Sequence, residues 1–441
     1  MSSSSTVSSA ERDARALHDD GHGVRPSEIA IGVIIGRTAE AFEFFVFAIA
    51  AVIVFPQRFF SFADPVTATM LSFALFALAF VARPIGTGIF TRIDRDRGKG
   101  AKLTAALFLM GTSTVAMGLV PSYATLGGWS IFVLAMLRIG QGLALGGVWD
   151  GLPSLLALNA PENRRGFFAM IPQLGAPLGL IMASLLFVYL VTNLSATDFL
   201  DWGWRYPFFV AFAVNVVALF ARLRLVVTPS YTELFEKREL EPRRIRDTVG
   251  RNFSAILLAA LVPLASFALF HMVTVFPLSW VYLYTTDSPA DFLLIEAVSA
   301  VFGLIAVYFS GHLADRFGRR AVLRAAAATI AVFSVFAPVL LSMGGAGEAL
   351  YMIVGFIILG ISYGQSSGAV ATLFAPYYRY TASAIVSDWA WLLGAGFAPL
   401  VALGLASWLG LWASGLYLLS GAVVTILALV FVRRLRENVQ S

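Results

Sequence analysis

The sequence has 441 residues, of which 59% are hydrophobic and only 13% are charged, and its formal net charge is +5. A mean hydropathy of +0.81 is too high for a soluble chain of this length, so the composition predicts a protein that crosses a membrane many times. The chain has no cysteine, which excludes disulfides and cysteine-bound metals.

Twelve apolar stretches are long enough to cross a hydrocarbon layer of about 30 Å as helices, which takes about 20 residues each. In chain order they cover residues 29–55, 67–90, 101–120, 130–157, 167–191, 204–225, 254–284, 290–312, 320–343, 349–374, 381–406 and 409–432. We therefore expect an all-α, polytopic membrane protein with twelve transmembrane helices. Residues 1–27 are polar and serine-rich without the apolar core of a signal peptide, which predicts a disordered cytoplasmic tail.

The basic residues are distributed by topology. All but five of the 31 lysines and arginines fall in the two tails and in alternate loops, and the five exceptions are Arg37, Arg58, Arg83, Arg138 and Arg205. By the positive-inside rule, both termini are predicted to be cytoplasmic, with the chain in the cell membrane. The same distribution makes the lipid bilayer the expected partner and argues against nucleic acid; we expect a monomer.

Two loop motifs recur at nearly one spacing. Gly98 follows the second helix and Gly318 the eighth, at an offset of 220, whereas Ala160-Pro161 and Ala375-Pro376 follow the fourth and tenth helices at an offset of 215. This repetition predicts a duplicated six-helix unit that folds as two bundles with a cavity between them. The expected divisions are bundles at 28–225 and 253–432, a cytoplasmic linker at 226–252 and a cytoplasmic tail at 433–441.

The second-half loop Gly311-His-Leu-Ala-Asp315-Arg316-Phe-Gly318-Arg319-Arg320 resembles the Gly-x-x-x-Asp-Arg-x-Gly-Arg-Arg motif of the major facilitator superfamily. The first-half copy departs from it, because Thr91 replaces the glycine and Arg95 and Asp96 stand at the aspartate and arginine positions. Asp94 or Asp96 is expected to do the work of the aspartate from a shifted position.

Further segments make the chain similar to the metabolite:proton symporter family. They are Glu40-Ala-Phe-Glu43-Phe44, Ala82-Arg83-Pro84-Ile-Gly86, Arg138-Ile-Gly-Gln141-Gly142, Asn163-Arg164-Arg165-Gly166-Phe167, Pro172-Gln173-Leu-Gly175-Ala-Pro177 and Trp202-Gly-Trp204-Arg205-Tyr-Pro207. The resemblance implies the major facilitator fold and transport of a small polar metabolite with protons by alternating access. Small carboxylates, zwitterions and aromatic acids are the substrate classes that it implies.

Helix 1 carries three ionisable residues on one broad face, at a spacing of three. An ionisable group inside a bilayer costs several kcal/mol unless it is paired or wetted, so Arg37, Glu40 and Glu43 are functional candidates. We interpret Arg37 as a donor to an anionic substrate and Glu40 or Glu43 as the proton carrier. The alternative is an Arg37–Glu40 pair that merely neutralises itself.

Helix 4 brings Arg138 and Gln141 one turn apart, and Trp149 and Asp150 follow. Arg138 is a candidate cation that couples substrate and proton, with Gln141 beside it; the alternative is a structural hydrogen bond between helices. In the resembled family a glutamate stands at the position of Val148. Asp150, a candidate for proton coupling, is displaced from that position by two residues. Its alternative is a cap held by Arg164 or Arg165.

The second half offers fewer polar residues. His271 titrates near neutrality, which suits proton transfer, although it also fits a packing role on an aromatic helix. Asp388 is a candidate for contact with a cationic substrate group or for pairing with a donor of the second half, and the aromatic residues Tyr282 and Trp391 are candidates for sorting substrates by shape. Glu296 is expected to be interfacial, near the outer end of helix 8.

The charged loops are candidate gates. In the outward-facing state Asp315 and Arg316 are expected to pair across neighbouring helices, and the alternative is a turn that only fixes topology. The gating candidates in the second-half loop are Gly311, Asp315, Arg316, Arg319 and Arg320, and those in the first-half loop are Asp94, Arg95, Asp96 and Arg97.

Taken together, these features predict a proton-coupled importer of a small polar metabolite, most directly an organic acid, with no cofactor. A symporter of zwitterions or compatible solutes and a proton-antiporting exporter of hydrophobic compounds remain as alternatives. The absence of a Gly-x-x-x-x-Gly-Lys-Ser/Thr loop argues against an ATP-driven pump, and four histidines argue against an enzyme with a metal site or catalytic residues. The short expected tails argue against a nutrient sensor with a signalling extension.

Overall fold

The computed structural model describes residues 26–148, 160–226, 241–366 and 374–440. Over these ranges the chain is almost entirely helical and contains no strand, which confirms the all-α prediction. Ten helical runs are apolar and long enough to span a membrane. One of them forms two membrane helices, and the charged first helix completes the predicted set of twelve.

The long helices are defined as follows, in chain order. They are α1 (Pro26–Ile53), α2 and α3 (the parts of Pro65–Leu119 before and after Gly98), α4 (Gly128–Val148), α5 (Arg165–Asn193), α6 (Tyr206–Val226), α7 (Ile245–Leu261, Leu264–Thr274 and Phe276–Tyr284), α8 (Pro289–Phe317), α9 (Arg319–Ser342), α10 (Gly345–Ser366), α11 (Pro376–Trp391 and Ala398–Leu409, joined by the π-helical Leu392–Gly396) and α12 (Ser414–Gln440).

Successive helices run in opposite directions, so the described chain begins and ends on one face, which we call the terminal face. The other, the opposite face, carries the short helices Phe55–Phe59, Tyr123–Leu126 and Ala196–Asp201. There Asp64 caps α2 by accepting a hydrogen bond from the backbone N–H of Thr67 at 3.0 Å. This hydrogen bond to the carboxylate lowers the pKa of Asp64 below its usual range.

The two repeated glycines have nearly the same backbone conformation. Gly98 turns the chain between α2 and α3 at φ 85°, and Gly318 turns it between α8 and α9 at φ 83°. Glycine adopts this left-handed region without a steric penalty, whereas other residues strain there. The shared geometry accords with the duplication that the loop spacing predicts.

The first half is held together by helices in backbone contact. Gly142 and Gly146 of α4 face the backbone of α2, and Gly86 of α2 faces the backbone at Leu143. A Cβ atom at any of these three glycines would overlap main-chain atoms of the neighbouring helix. Small residues at such crossings allow close van der Waals packing inside a membrane.

The halves α1–α6 and α7–α12 meet along three seams. α5 packs on α8, α2 packs on α11, and α1 packs on α7, where the Phe45 and Phe270 rings stack with centroids 5.9 Å apart. The core cluster of buried apolar side chains runs through both halves. The seams therefore bring the two bundles into direct contact.

Three sequence predictions need correction. Arg222, which we counted with the basic residues of the tails and loops, lies inside α6 and is 2% exposed. α7 begins at Ile245 rather than near 254, with a break at Asn252, where φ is −128°. Glu296 is not interfacial: it is 0% exposed, because α8 turns it toward the other half of the protein.

Candidate functional site

A cation, an amide and a carboxylate form a continuous hydrogen-bonded chain inside the first half. Arg138 on α4 donates from Nη1 to Oε1 of Gln141 at 2.6 Å, and Gln141 donates from Nε2 to Oε1 of Glu43 on α1 at 3.0 Å. None of the three is more than 3% exposed. Because the glutamine separates the two charges, Glu43 can change its protonation without a direct ion pair having to break.

Two neutral residues complete this chain, and sequence reasoning missed both. The Thr114 hydroxyl on α3 donates to Oε1 of Glu43, and Nδ2 of Asn215 on α6 donates to Oε2 at 3.3 Å. Threonine and asparagine in apolar helices give no charge signal in the sequence. A polar residue within each of two otherwise apolar stretches was the only available hint.

Arg138 has no carboxylate within ion-pair distance in the described part of the chain. Its Nε and Nη2 donate to the Phe76 carbonyl at 3.3 and 3.2 Å, and its guanidinium lies 3.8 Å from the centroid of the Phe47 ring. Carbonyl dipoles and an aromatic face thus offset the buried positive charge of Arg138. Because these partners are neutral, the guanidinium keeps its affinity for anions.

A second group on α1 holds two arginines around one carboxylate. Oε2 of Glu40 accepts from Nη1 of Arg37 at 2.9 Å and from Nη2 of Arg222 at 3.1 Å. Arg222 also donates to the Val148 carbonyl at 3.2 Å. The Arg37–Glu40 pair is therefore present, and Glu40 is shared with a second arginine.

One ion pair joins the two halves at the α2–α11 seam. Nε of Arg83 lies 2.8 Å from Oδ1 of Asp388, and the side chains are 9% and 4% exposed. Nη2 of Arg83 also donates to the Ser387 hydroxyl at 3.2 Å. Among the described residues, Oδ2 of Asp388 is buried and meets no donor within hydrogen-bond distance. Asp388 thus pairs with a donor, as its alternative interpretation held, but the donor comes from the first half.

His271 lies between the halves in an aromatic group. Its ring stacks on Phe44 with centroids 5.3 Å apart, and Phe76 presents an edge to it at 5.2 Å. The same two rings approach the Arg138 guanidinium, so they lie between the histidine and the arginine. Trp391 packs over Phe267 and stacks with Phe80. The rings of His271 and Trp391 also contact each other, so both residues belong to this aromatic group.

The remaining candidates for substrate binding and proton coupling lie outside the groups described above. The Tyr282 hydroxyl accepts a hydrogen bond from Nε2 of Gln57 near the opposite face, where it joins the halves. Trp149 and Asp150 lie outside the described residues. Among the described residues, no group of three or more His, Cys, Asp or Glu side chains could hold a metal ion.

On the terminal face, Asp315 caps the start of α5. Its carboxylate accepts from the backbone N–H of Gly166 at 2.6 Å and of Phe167 at 3.1 Å. Gly311 lies so close to α5 that a Cβ atom there would meet Cα of Phe167. Arg319 donates to the Gln365 side chain on α10 at 3.2 Å. Carboxylates are stabilised at helix N-termini, so the contact of Asp315 with the start of α5 holds the halves together.

The other charged residues of the two loops have different positions. Arg316 is exposed and lies 5.1 Å from the Phe317 ring, and in the described part of the chain it forms no ion pair across helices. Arg320 is also exposed. In the first-half loop, Arg95, Asp96 and Arg97 are exposed, and Asp96 pairs with Arg95 at 3.2 Å.

Asp94 is the first-half carboxylate that reaches the other half. Its Oδ2 accepts from Nζ of Lys102 at 3.1 Å and from the Tyr380 hydroxyl of α11 at 2.9 Å. Asp94 is 4% exposed, unlike Asp96. Asp94, one position before the place of the motif's aspartate, is therefore the carboxylate of this loop that contacts the second half.

Asp315→Asn is expected to loosen the terminal face. Charge-assisted hydrogen bonds contribute about 1.5–3 kcal/mol, so their weakening shifts an open–closed equilibrium by about tenfold or more. We expect labelling of a cysteine placed at the buried Met170, beside Gly311, to quicken by that factor. Asp96→Asn, a matched change at an exposed carboxylate, should leave the labelling rate unchanged. Equal rates in both variants would contradict the prediction.

Comparison with known proteins bears on this arrangement. A family model described as Major Facilitator Superfamily matches residues 33–387. The inner membrane metabolite transport protein YhjE of Escherichia coli K12 is 35% identical over 430 residues, covering 93% of this chain and 95% of that protein. The shikimate transporter of the same organism is 27% identical, covering 93% and 95%, and its proline/betaine transporter is 26% identical, covering 85% and 76%.

A solved structure has the same fold. The proton:xylose symporter XylE aligns with a TM-score of 0.70 at 18% identity, covering 93% of this chain and 95% of that one.

Proposed function

This chain belongs to the major facilitator superfamily and is a transporter rather than an enzyme, and on that premise we propose that it is a symporter of protons and a small organic acid. Uptake proceeds by alternating access, in which the two halves open to one face and then to the other. Shikimate, a carboxylate, is named for one relative, which supports the choice of substrate class.

The observation that carries this proposal is the Arg138–Gln141–Glu43 chain. Protonation of Glu43 removes the negative charge nearest to Arg138 and leaves a net positive charge in a buried site. An organic anion can then neutralise that charge, so proton binding favours substrate binding. Glu43 is the proposed proton carrier, and Arg138 is the proposed source of attraction for the anion.

The Arg37–Glu40–Arg222 group supports the same sign of substrate charge. Arg37 keeps 23% of its side chain exposed, so we propose that it contacts the substrate carboxylate. Glu40 already compensates two arginines, which makes it a poorer proton carrier than Glu43. His271 remains a candidate for proton transfer, and Trp149, Asp150 and Tyr282 remain predictions.

We propose that the terminal face is cytoplasmic and that both termini lie there, in the cell membrane, because the basic loops gather on that face. Opening to the cytoplasm then requires Asp315 to leave the start of α5 and Tyr380 to leave Asp94. Opening to the outside requires the Gln57–Tyr282 contact to break. The chain is proposed to act as a monomer.

A zwitterionic substrate is the second candidate. Oδ2 of Asp388 is buried and has no hydrogen-bond partner, and Trp391 lies three residues further along α11. A carboxylate oxygen beside aromatic rings can receive a cationic group, while Arg138 attracts the carboxylate. One relative is named for proline and betaine, which fits this class. Proton-driven export of hydrophobic compounds is the remaining alternative.

Uptake into proteoliposomes tests the proposal. We expect labelled shikimate to accumulate when the outer solution is more acidic than the lumen, and only to equilibrate without the gradient. Labelled glycine betaine in parallel vesicles distinguishes the zwitterion candidate. Accumulation that ignores the pH gradient would contradict proton symport, and proton-driven extrusion of a hydrophobic dye would favour the exporter.

A further inference from the structure

A buried carboxylic acid occupies the α5–α8 seam, away from the central site. Glu296 on α8 is 0% exposed, and its Oε2 accepts a hydrogen bond of 3.3 Å from the Ser184 hydroxyl on α5. Its Oε1 is buried with no hydrogen-bond partner. Since Ser184 belongs to the first half and Glu296 to the second, the contact bridges the two bundles.

The orientation of α8 shows that this acid faces the seam rather than lipid. Leu294 and Val298, on the other side of the helix, are 48% and 50% exposed. On the buried side, Ser299 follows Glu296 by one turn and Gly303 by two turns. Gly303 lines a cavity of about 20 Å³ between the halves, and Leu180, one turn from Ser184, lines it from α5.

Glu296 has no compensating positive charge within ion-pair distance among the described residues. In the described part of the chain no ion pair involves this residue, and its one hydrogen-bond partner is neutral. The hydroxyl of Ser299 is also buried and lacks a partner. An ionised carboxylate buried without a counter-charge costs several kcal/mol, whereas a protonated one is neutral and gains a donor. The closed seam therefore favours the protonated acid.

The helices packed against α8 place their titratable groups at the membrane faces or in the aromatic group. Those of α5, α9, α10 and the α7 segments Leu264–Thr274 and Phe276–Tyr284, together with the first turn of α8, are Arg165, Tyr189, Arg319, Arg320, Arg324, Glu348, Tyr351, Tyr363, His271, Tyr282, Tyr284 and Asp291. His271 is engaged with Phe44 and Thr274, and Tyr351 with the Met272 carbonyl.

We propose that Glu296 is a proton-binding site that opens to the opposite face, and that the α5–α8 seam closes only when a proton occupies it. Glu296 lies seven residues from the first residue of α8, which is about 10 Å along the helix axis. When the halves part at the opposite face, water reaches the carboxylate and it ionises. A proton from that side neutralises it and allows closure. The inference rests on the alternating halves of the proposed function, and not on the transported substrate.

Distance measurements on the full chain in lipid vesicles test this site. The natural sequence has no cysteine, so spin labels can be attached at Phe62→Cys and Tyr284→Cys, two exposed positions on the two halves at the opposite face. Without substrate, we expect the short-distance population to dominate in acid and to decline as pH rises. One coupled proton lowers the closed-to-open ratio by up to tenfold per pH unit above the titration range.

Glu296→Gln provides the decisive comparison, because it mimics the protonated acid. We expect this variant to remain closed and to lose the pH dependence, changing less than about twofold over the range in which the parent changes about tenfold. The matched control is Glu348→Gln, which alters another buried carboxyl of the second half outside the α5–α8 seam. It should keep the pH dependence of the parent.

Several results would overturn the inference. They are a parent whose distances ignore pH, a Glu296→Gln variant that keeps the parental pH dependence, and a variant that stays open. If Glu296→Gln does not fold, infrared difference spectra of Ser184→Ala decide the question. The protonated-carboxyl band of the parent should shift in that variant, and an unchanged band would refute the site. Because no substrate is present, failed uptake of every acid would leave these results standing.

Discussion

Arg83→Asp is expected to reduce the initial transport rate by at least about 100-fold. The change places a second carboxylate against Asp388 at the α2–α11 seam, where the natural pair is almost fully buried. Breaking a buried ion pair costs about 3–5 kcal/mol, and 1.4 kcal/mol corresponds to a factor of ten. Rates are to be compared in proteoliposomes that contain equal amounts of reconstituted protein.

Reversing both partners tests whether attraction between the halves is the cause. Arg83→Asp combined with Asp388→Arg should recover at least about a tenth of the parental rate, because the pair is restored with opposite polarity. The control is Arg92→Asp, which alters an exposed arginine of the same helix, α2, that pairs with the exposed Asp96. A double variant no more active than Arg83→Asp would show that the pair does more than join the halves.

Glu43→Gln is expected to abolish accumulation against a gradient while exchange of substrate across the membrane continues. Glutamine can keep hydrogen bonds to Gln141 and Thr114, but it cannot release a proton. Symport of one proton with one monovalent anion moves no net charge, so it is driven by the pH gradient, which contributes about 1.4 kcal/mol, or about tenfold accumulation, per pH unit. That ratio should fall to about one in the variant, measured as steady-state uptake with and without the pH gradient.

Glu40→Gln is the matched control on the same helix. Because Glu40 is paired with Arg37 and Arg222, its loss should alter the affinity for the anion while coupling persists. If Glu43→Gln still accumulates substrate fully and Glu40→Gln does not, the two carboxylates of α1 have the reverse of the roles proposed here.

The fold could be predicted because its signals are local. Apolar runs of membrane-spanning length and two repeated glycine turns were enough to predict twelve helices in a duplicated unit. The partners within the site could not be predicted in this way. Arg83 and Asp388 are 305 positions apart, and nothing near either residue encodes the other. Ser184 and Asn215 carry no charge, so they do not stand out among apolar neighbours.

Small rotations account for the remaining differences. A helix turns by about 100° per residue, so sequence alone does not show whether Asp94 or Asp96 faces inward. The structure selects Asp94, which reaches Tyr380. Arg222 was counted with the basic loop residues because a basic stretch follows it, although α6 continues through it. Glu296 was expected at the membrane interface because it lies near the outer end of α8. That position along the helix does not show which side of the helix the residue occupies.

The distribution of buried charges between the halves has a consequence for the order of synthesis. Glu40 and Glu43 obtain all the polar partners described here from α1, α3, α4 and α6, so these bonds can form before α7 leaves the ribosome. Asp388, in contrast, needs Arg83 of the first half. The carboxylate that depends on the other bundle is thus inserted last, when its partner is already in place. If the gene encoded the two halves in the reverse order, Asp388 would enter the membrane before Arg83 was made. Such a chain should insert into the membrane less efficiently.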